Sequence, residues 1–150
     1  MDTVTFKQSK EFHVRINESN KIKTTHPDRV PVIVEPSLKC TLAPLDKKKY
    51  LIPKEVTIGQ FAYVIRSRIK LNPEEAIFLF INNVLPPTSS HMVDIYQEHK
   101  DADGFLYVTY GGENTFGTWT KMFDQIVIFV IFNIFNLFYS RRQQHARTYH

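Results

Sequence analysis

Residues 49–71 read KYLIPKEVTIGQFAYVIRSRIKL, and this stretch combines a strand signal with a helix signal. A short strand is predicted from Lys49 to Ile52, and Pro53 ends it because proline cannot donate a ladder hydrogen bond. A helix is predicted to begin at Thr57, since Thr57 and Gln60 form a capping-box pattern. The apolar residues that follow recur on one helical face, at Ile58, Phe61, Ala62, Ile65 and Ile69.

Upstream of this stretch, residues 30–35 read VPVIVE, an extended β-branched run that predicts another strand. A loop is expected over residues 36–48. Residues 1–26 are polar with scattered apolar positions, and Phe12, Ile16 and Ile22 fall on one broad helical face. We therefore expect one or two short, weakly amphipathic helices in an N-terminal arm that must lean on another part of the chain.

Downstream, residues 72–75 read NPEE, which predicts a brief helical turn. Residues 77–81 read IFLFI, a uniformly apolar strand that is either covered on both faces or exposes a functional patch. Residues 86–90, PPTSS, are expected to cap a second helix that turns Met92, Ile95, Tyr96 and His99 inward. A further strand, FLYVTY at 105–110, lacks polar alternation and is predicted to be central.

The elements follow the order ββαβαβ, which is the β-grasp pattern of ubiquitin. The predicted fold class is α+β: a four-stranded mixed sheet with two packed helices, preceded by two N-terminal helices. The predicted organisation is an N-terminal helical arm at 1–26, a ubiquitin-like domain at 27–117 and an apolar-basic extension at 118–150.

Charge and cysteine content exclude several classes of function. The formal net charge is +4, yet the first 117 residues carry 15 Lys and Arg against 14 Asp and Glu. Most of the excess therefore lies in the last 33 residues, and we expect no nucleic-acid partner. Cys40 is the only cysteine and lies in a loop without a catalytic signature. The six histidines show no metal-ligand spacing, so we expect neither a catalytic residue nor a metal site.

Several long motifs resemble the autophagy ubiquitin-like modifiers, the family of GABARAP and its plant and yeast relatives. The resemblance covers about residues 26–117, and the matching motifs occur in family order. They are HPDRVPVIVE (26–35), DKKKYLIP (46–53), TIGQFAYVIRSRIKL (57–71), LPPTSSHM (85–92), YQEHKDADGFLYVTY (96–110) and GENTFG (112–117). The chain departs from the family at His26, where Tyr is usual, in a thinner basic stretch around Arg15, and in its long C-terminal extension.

The resemblance implies a modifier and not an enzyme. An autophagy cysteine protease would cut after Gly117, and activating and conjugating enzymes would then join this glycine to phosphatidylethanolamine. Gly117 allows close backbone approach and Phe116 supplies an apolar anchor beside it. Taken alone, Gly117 would more often be a turn residue.

Beyond the conjugated lipid no cofactor is expected. The expected locations are the cytoplasm and, after lipidation, the autophagosome membrane, cytoplasmic vesicles and the vacuole membrane.

The resemblance also implies a docking face for cargo receptors that carry an aromatic residue and, three positions later, an aliphatic one. If residues 49–52 form an edge strand, its free backbone groups can pair with such a peptide. One implied pocket comprises Glu18, Ile22, Pro31, Lys49, Leu51 and Phe105. The second comprises Tyr50, Ile52, Pro53, Val56, Phe61 and Val64. The implied polar contacts are Arg29 and Arg68, and the lysine run that begins at Lys47 suits acids preceding the aromatic residue.

Simpler explanations remain for these residues. Three lysines can serve only to keep an edge strand from aggregating, and the aromatic side chains can serve only as core. A second docking strand is implied at Ile77, Phe78, Leu79 and Phe80, although burial accounts for at least half of these side chains.

The extension allows three interpretations: a propeptide that is removed, a membrane tail on an uncleaved form, or translated non-coding sequence. Residues 126–139 are mainly apolar, but as a helix they would span only about 21 Å of a hydrocarbon core about 30 Å thick. The alternative function is an unconjugated peptide-binding adaptor that its own tail tethers to a membrane. Microtubule association is a third possibility, suggested by the basic residues of the arm.

Overall fold

The computed structural model describes residues 4–113. The N-terminal arm contains α1 (Phe6–Ser9) and α2 (Phe12–Thr25). The remaining elements are β1 (Arg29–Pro36), β2 (Lys49–Pro53), α3 (Ile58–Ile69), β3 (Phe78–Phe80), α4 (Met92–His99) and β4 (Leu106–Gly111). This order confirms the predicted ββαβαβ arrangement and the two helices before it. Residues 116–117 and the predicted extension at 118–150 lie outside the described residues.

The four strands form one mixed sheet in the order β2-β1-β4-β3. The central strands β1 and β4 pair in parallel, while β2 and β3 pair antiparallel with them at the two edges. The prediction that 105–110 is a central strand is therefore correct, and the condition that 49–52 forms an edge strand is met.

Strand β1 is covered on both faces of the sheet. Val30, Val32 and Val34 join the larger core cluster with the inward residues of α3 and α4. Ile33 points to the opposite face, where it packs with Phe6 and Phe105 beneath the arm. This double burial explains why residues 30–34 lack polar alternation.

The two helices over the larger core begin side by side. Thr57 caps α3 with the predicted capping box, in which Thr57 and Gln60 satisfy each other's backbone N–H groups. The predicted side-chain cap of α4 within residues 86–90 is wrong, because its N-cap is His91 and makes no side-chain hydrogen bond. Backbone contacts replace it: the Met92 N–H donates to the Val56 carbonyl at 2.8 Å. Thr57 and His91 also form a β-bridge, which fixes the starts of both helices together.

The predicted apolar face of the arm is only partly correct: Ile22 packs against the cluster of Phe6, Ile33 and Phe105, but Phe12 does not lie on the buried face. The buried residues of α2 are Arg15 and Ser19, whereas Phe12 is 49% exposed. The reason is tertiary: α2 lies against polar groups of the loop that precedes β4, as described below. The apolar anchor of the arm is instead Phe6 in α1, which is buried.

The second edge strand is shorter than predicted. β3 covers only residues 78–80, because a tight turn follows, in which Asn82 and Asn83 both have positive φ. Ile81 and Val84 pair across that turn. Residues 72–75 form a single turn in which the Glu75 N–H donates to the Asn72 carbonyl at 3.1 Å.

Candidate peptide-docking site

The outer edge of β2 offers backbone groups to an incoming strand. The Val34 N–H donates to the Lys48 carbonyl at 2.7 Å, so the backbone N–H and C=O groups of Lys48 face β1. Hydrogen-bonded and non-hydrogen-bonded pairs alternate in an antiparallel ladder. The backbone N–H and C=O groups of Tyr50 and Ile52 therefore face β1 as well. Lys49 and Leu51 therefore direct their N–H and C=O groups away from the sheet, and a peptide can pair with them.

Strand alternation sends the side chains of β2 to two different faces. Tyr50 and Ile52 are buried in the core between the sheet and α3, whereas Lys49 and Leu51 are half-buried on the face that carries the arm. The two residue sets suggested by the family resemblance thus lie on opposite sides of one edge strand. An extended peptide on this edge can insert alternate side chains on both sides.

On the arm side, an ion pair joins the strand to α2. Lys49 Nζ contacts Glu18 Oε1, and Glu18 also accepts a hydrogen bond from Lys10 Nζ at 2.8 Å. Burial lowers the pKa of Lys49, and the nearby charge of Lys10 lowers it further. Phe105 is fully buried in a cluster with Phe6 and Ile33, and Ile22 packs against this cluster. Phe105 can therefore serve as the floor of an apolar pocket and not as its wall. Pro31 of β1 is buried.

On the α3 side, Tyr50 packs edge-on against the fully buried Phe61, with ring centroids 6.0 Å apart. The Tyr50 hydroxyl is buried without a hydrogen-bond partner among the described residues, and burial raises its pKa. Two cations approach its ring: Lys47 Nζ lies 5.0 Å and Arg68 Cζ 5.6 Å from the centroid. Around them, Val64 is 41% exposed on α3, and Pro53 and Val56 are half-buried.

The lysine run has divided roles. Lys47 lies beside Tyr50, and Lys49 is paired with Glu18. Lys48 Nζ donates to Glu35 Oε1 at 2.9 Å and to the Val4 carbonyl at 2.8 Å, so it fastens the start of the arm. Lys48 and Lys49 are thus each held by a carboxylate, whereas Lys47 contacts an aromatic ring. Lys47 is therefore the best suited of the three to meet an acidic ligand.

The two arginines of the predicted site lie at different places. Arg29 Nη1 donates to the Leu51 carbonyl at 3.3 Å, on the outer edge itself. Arg68 Nη1 lies 3.8 Å from Asp46 Oδ2, over the α3 side.

In the second predicted docking strand, buried and half-buried side chains do not alternate as they do in β2. Leu79 and Phe80 are buried, whereas Ile77 and Phe78 are half-buried. The half-buried pair gives this edge a smaller accessible apolar surface than the four-residue sequence suggests.

Sequence reasoning missed a buried polar cluster beside the arm-side pocket. Arg15 Nε lies 3.0 Å from Asp103 Oδ2, and the Tyr107 hydroxyl donates to the same oxygen at 2.6 Å. Asp103 Oδ1 accepts from the Phe105 N–H at 3.0 Å, and the Asp103 carbonyl accepts from the Ser19 hydroxyl. Burial and the hydrogen bond to Asp103 raise the pKa of Tyr107 strongly. This cluster fixes α2 on the loop that leads into Phe105.

One glycine permits that contact. Gly104 has φ +84°, and a Cβ at this position would lie 2.5 Å from Ser19 Oγ. The Tyr96 hydroxyl donates to the Gly104 carbonyl at 2.7 Å and holds the loop from the other side. The Asp-Gly pair at 103–104 is the local signal that could have revealed a tight turn here.

Other kinds of site find little support between residues 4 and 113. In that range no group of three or more His, Cys, Asp or Glu side chains could hold a metal ion. No helix there is long and apolar enough to cross a membrane. The Cys40 thiol is half-buried, and burial raises its pKa, which disfavours the nucleophilic thiolate.

Comparison with known proteins identifies the family to which this chain is similar. Residues 14–117 match the family model described as autophagy protein Atg8, ubiquitin-like. The chain is 58% identical to autophagy-related protein 8 of Schizosaccharomyces pombe over 113 residues, covering 75% of this chain and 93% of that protein. It is 56% identical to autophagy-related protein 8a of Arabidopsis thaliana over 115 residues, covering 77% and 94% of the two chains.

A solved structure supports the same assignment. The crystal structure of Trypanosoma brucei ATG8 superposes with a TM-score of 0.72 at 42% identity, covering 78% of this chain and 100% of that one. The relatives include plant and yeast proteins, as the sequence motifs suggested. On this fold, these motifs and these matches, the chain belongs to the Atg8 family of ubiquitin-like autophagy proteins.

Proposed function

We propose that this chain is a ubiquitin-like modifier of autophagy that is cleaved after Gly117 and conjugated through that glycine to phosphatidylethanolamine. On the autophagosome membrane it would recruit cargo receptors and adaptors through short peptide motifs. The observation that carries the peptide-binding part is the outer edge of β2, where Lys49 and Leu51 direct backbone groups outward between two apolar side-chain groups.

The conjugation chemistry belongs to partners in this proposal, and the chain itself is not an enzyme. A cysteine protease exposes the carboxylate of Gly117, an activating enzyme converts it to a thioester, and a conjugating enzyme transfers the acyl group to the lipid amine. The support is family membership together with the GENTFG motif at 112–117. β4 ends at Gly111, so this motif follows directly on a central strand of the sheet.

Partners and locations follow from the same proposal. We expect the protease, the activating-like and conjugating-like enzymes, and receptors with aromatic-x-x-aliphatic motifs to bind the chain. The expected distribution is cytoplasmic, with autophagosome, cytoplasmic-vesicle and vacuole membranes occupied after lipidation. Microtubules are a weaker proposal: within residues 4–25, Lys7 and Lys10 are paired with Asp101 and Glu18, which reduces the basic charge available to an acidic surface.

The test is the C-terminus of the mature protein in cells, determined by mass spectrometry. We expect a terminus at Gly117 and a lipid-linked form, and we expect Gly117→Ala to abolish both, because the protease channel must accommodate a residue without a Cβ. Normal lipidation of Gly117→Ala would contradict the proposal. Thr118→Ala is the matched control: it changes the residue after the cleavage point and should be processed normally.

The alternative function predicts a different result in the same experiment. If the chain is an unconjugated adaptor tethered by its own tail, peptides from residues 126–150 should be present in the mature, membrane-bound protein. The apolar stretch at 126–139 favours this alternative over an adaptor without any membrane contact.

A further inference from the structure

The outer edge of β2 carries few backbone groups that a peptide can use. Pro53 has no N–H, so the outward donors are the amides of Lys49 and Leu51, and the acceptors beside them are their carbonyls. Of these carbonyls, that of Leu51 already accepts a hydrogen bond from Arg29 Nη1 at 3.3 Å. A strand that adds to this edge and donates to Leu51 therefore competes with the Arg29 side chain for this carbonyl oxygen.

The position of Arg29 allows such displacement. It lies opposite Pro53 in the β1–β2 register, at the end of the edge, and its side chain is 43% exposed. Its Nε lies 3.9 Å from Asp28 Oδ2, a loose contact that lets the guanidinium turn outward. A guanidinium has five N–H donors in a planar fork, which suits a carboxylate better than one carbonyl oxygen.

We propose that Arg29 is a displaceable cap on the docking edge, which covers the Leu51 carbonyl in the free chain and is released by a carboxylate of the bound peptide. This inference rests on the proposed peptide binding and adds a rule of selection to it. A ligand without an acidic residue near Pro53 competes with the guanidinium for the Leu51 carbonyl and offers the guanidinium no new partner. A ligand with such a residue gives the guanidinium a better partner.

The direction of the peptide follows from the two basic ends of the edge. Lys47 lies before the start of β2, and Arg29 lies opposite its last residue. If acids that precede the aromatic residue meet Lys47, the peptide runs parallel to β2 and its residues after the aliphatic position reach Arg29. The selecting carboxylate is therefore on the C-terminal side of the motif.

A cap of this kind would also protect the edge strand from pairing with the wrong chain. Uncovered N–H and C=O groups at a sheet edge invite pairing with another chain, and charged side chains commonly prevent this. Arg29 closes one of the few available acceptors without permanently blocking the edge.

Calorimetry with two synthetic peptides tests the proposal. Both contain an acidic N-terminal flank and a Trp-x-x-Leu core; one carries Glu after the Leu and the other carries Gln there. For the wild-type chain we expect the Glu peptide to bind about two- to fivefold more tightly, since the new ion pair is partly exposed. For Arg29→Ala we expect this preference to vanish.

The decisive result concerns the Gln peptide. If Arg29 is a cap, the Gln peptide should bind Arg29→Ala at least about twofold more tightly than it binds the wild-type chain, because no guanidinium then competes for the Leu51 carbonyl. If Arg29 is only a ligand contact, the Gln peptide should bind both chains equally or bind the variant more weakly, and this would overturn the proposal. Circular dichroism of Arg29→Ala checks that the sheet is retained.

Arg68→Ala is the matched control. Arg68 also faces the docking edge, but its contacts are with Asp46 and the Tyr50 ring and not with the backbone of the edge. This variant should lose affinity for acidic peptides without any gain for the Gln peptide. If the wild-type chain binds neither peptide, the proposed docking function fails, and the cap with it. If it binds both and Arg29→Ala brings no gain, only the cap fails.

Discussion

Arg15 Nε lies 3.0 Å from Asp103 Oδ2, with the Arg15 side chain 10% exposed and that of Asp103 fully buried. This pair joins α2 to the loop before β4. Loss of one partner from a buried ion pair leaves an uncompensated charge and costs roughly 3–5 kcal/mol. We therefore expect Asp103→Ala to lower the free energy of unfolding by about that amount, measured by urea denaturation.

The exposed pair nearby provides the comparison. Lys7 and Asp101 form an ion pair in which both side chains are substantially exposed. Lys7→Ala should cost less than about 1 kcal/mol because solvent screens such pairs. Equal losses for Lys7→Ala and Asp103→Ala would show that the buried cluster contributes no more than a surface contact.

Gly104 should tolerate no side chain while Ser19 is present. Its φ of +84° is strained for other residues, and a Cβ would lie 2.5 Å from Ser19 Oγ. We expect Gly104→Ala to destabilise the chain by about 1–3 kcal/mol. Ser19→Ala in the same chain should recover part of this loss, because it removes the clashing oxygen but not the backbone strain. A thermal-unfolding double-mutant cycle measures the coupling, and strictly additive losses would argue against the clash.

Peptide binding is best tested at Leu51. Tyr50 is 5% exposed and packs on Phe61, so Tyr50→Ala would cost about 3–5 kcal/mol through the cavity it leaves. Leu51 is only half-buried, and Leu51→Ala should remove pocket surface with a small effect on stability. We expect at least roughly tenfold weaker binding of aromatic-x-x-aliphatic peptides, on the order of 1.5 kcal/mol or more by calorimetry.

Tyr50→Phe is the companion variant for that experiment. The Tyr50 hydroxyl is buried without a hydrogen-bond partner in the described part of the chain, so its removal should not destabilise the protein. If neither Leu51→Ala nor Tyr50→Phe changes the peptide affinity, this result would count against docking at this edge.

Asp101 gives a stability contribution that depends on pH. Burial alone would raise its pKa, but the hydrogen bond and charge of Lys7, with other contacts, leave the pKa below the ordinary 3.8. A carboxyl whose pKa is depressed by folding stabilises the folded chain above its unfolded pKa, and this contribution disappears as pH falls through the folded pKa. Between about pH 6 and about pH 2, the wild-type chain should therefore lose more stability than Lys7→Ala. Urea titrations at both pH values measure this difference. An equal loss of unfolding free energy in the wild-type chain and in Lys7→Ala would contradict the expectation.

Several features of the fold were determined by short stretches of sequence. The capping pattern at Thr57, the apolar spacing that follows it and the proline that ends β2 are interactions between residues a few positions apart. They were predicted correctly because helix period, capping and strand termination depend on neighbouring residues. The order of the predicted strands and helices, ββαβαβ, then indicated the β-grasp topology that the sheet shows.

Only the tertiary structure decided which face of α2 is buried and what closes the docking edge. Apolar periodicity suggested Phe12, Ile16 and Ile22, and of these Ile22 does pack against a core cluster. The buried residues of the helix are Arg15 and Ser19, because Asp103 meets them from a distant part of the chain. In the same way, Arg29 reaches the Leu51 carbonyl only because β1 and β2 pair in one particular register. Ion pairs and hydrogen bonds between distant residues leave no period in the sequence, since their partners are brought together by the fold.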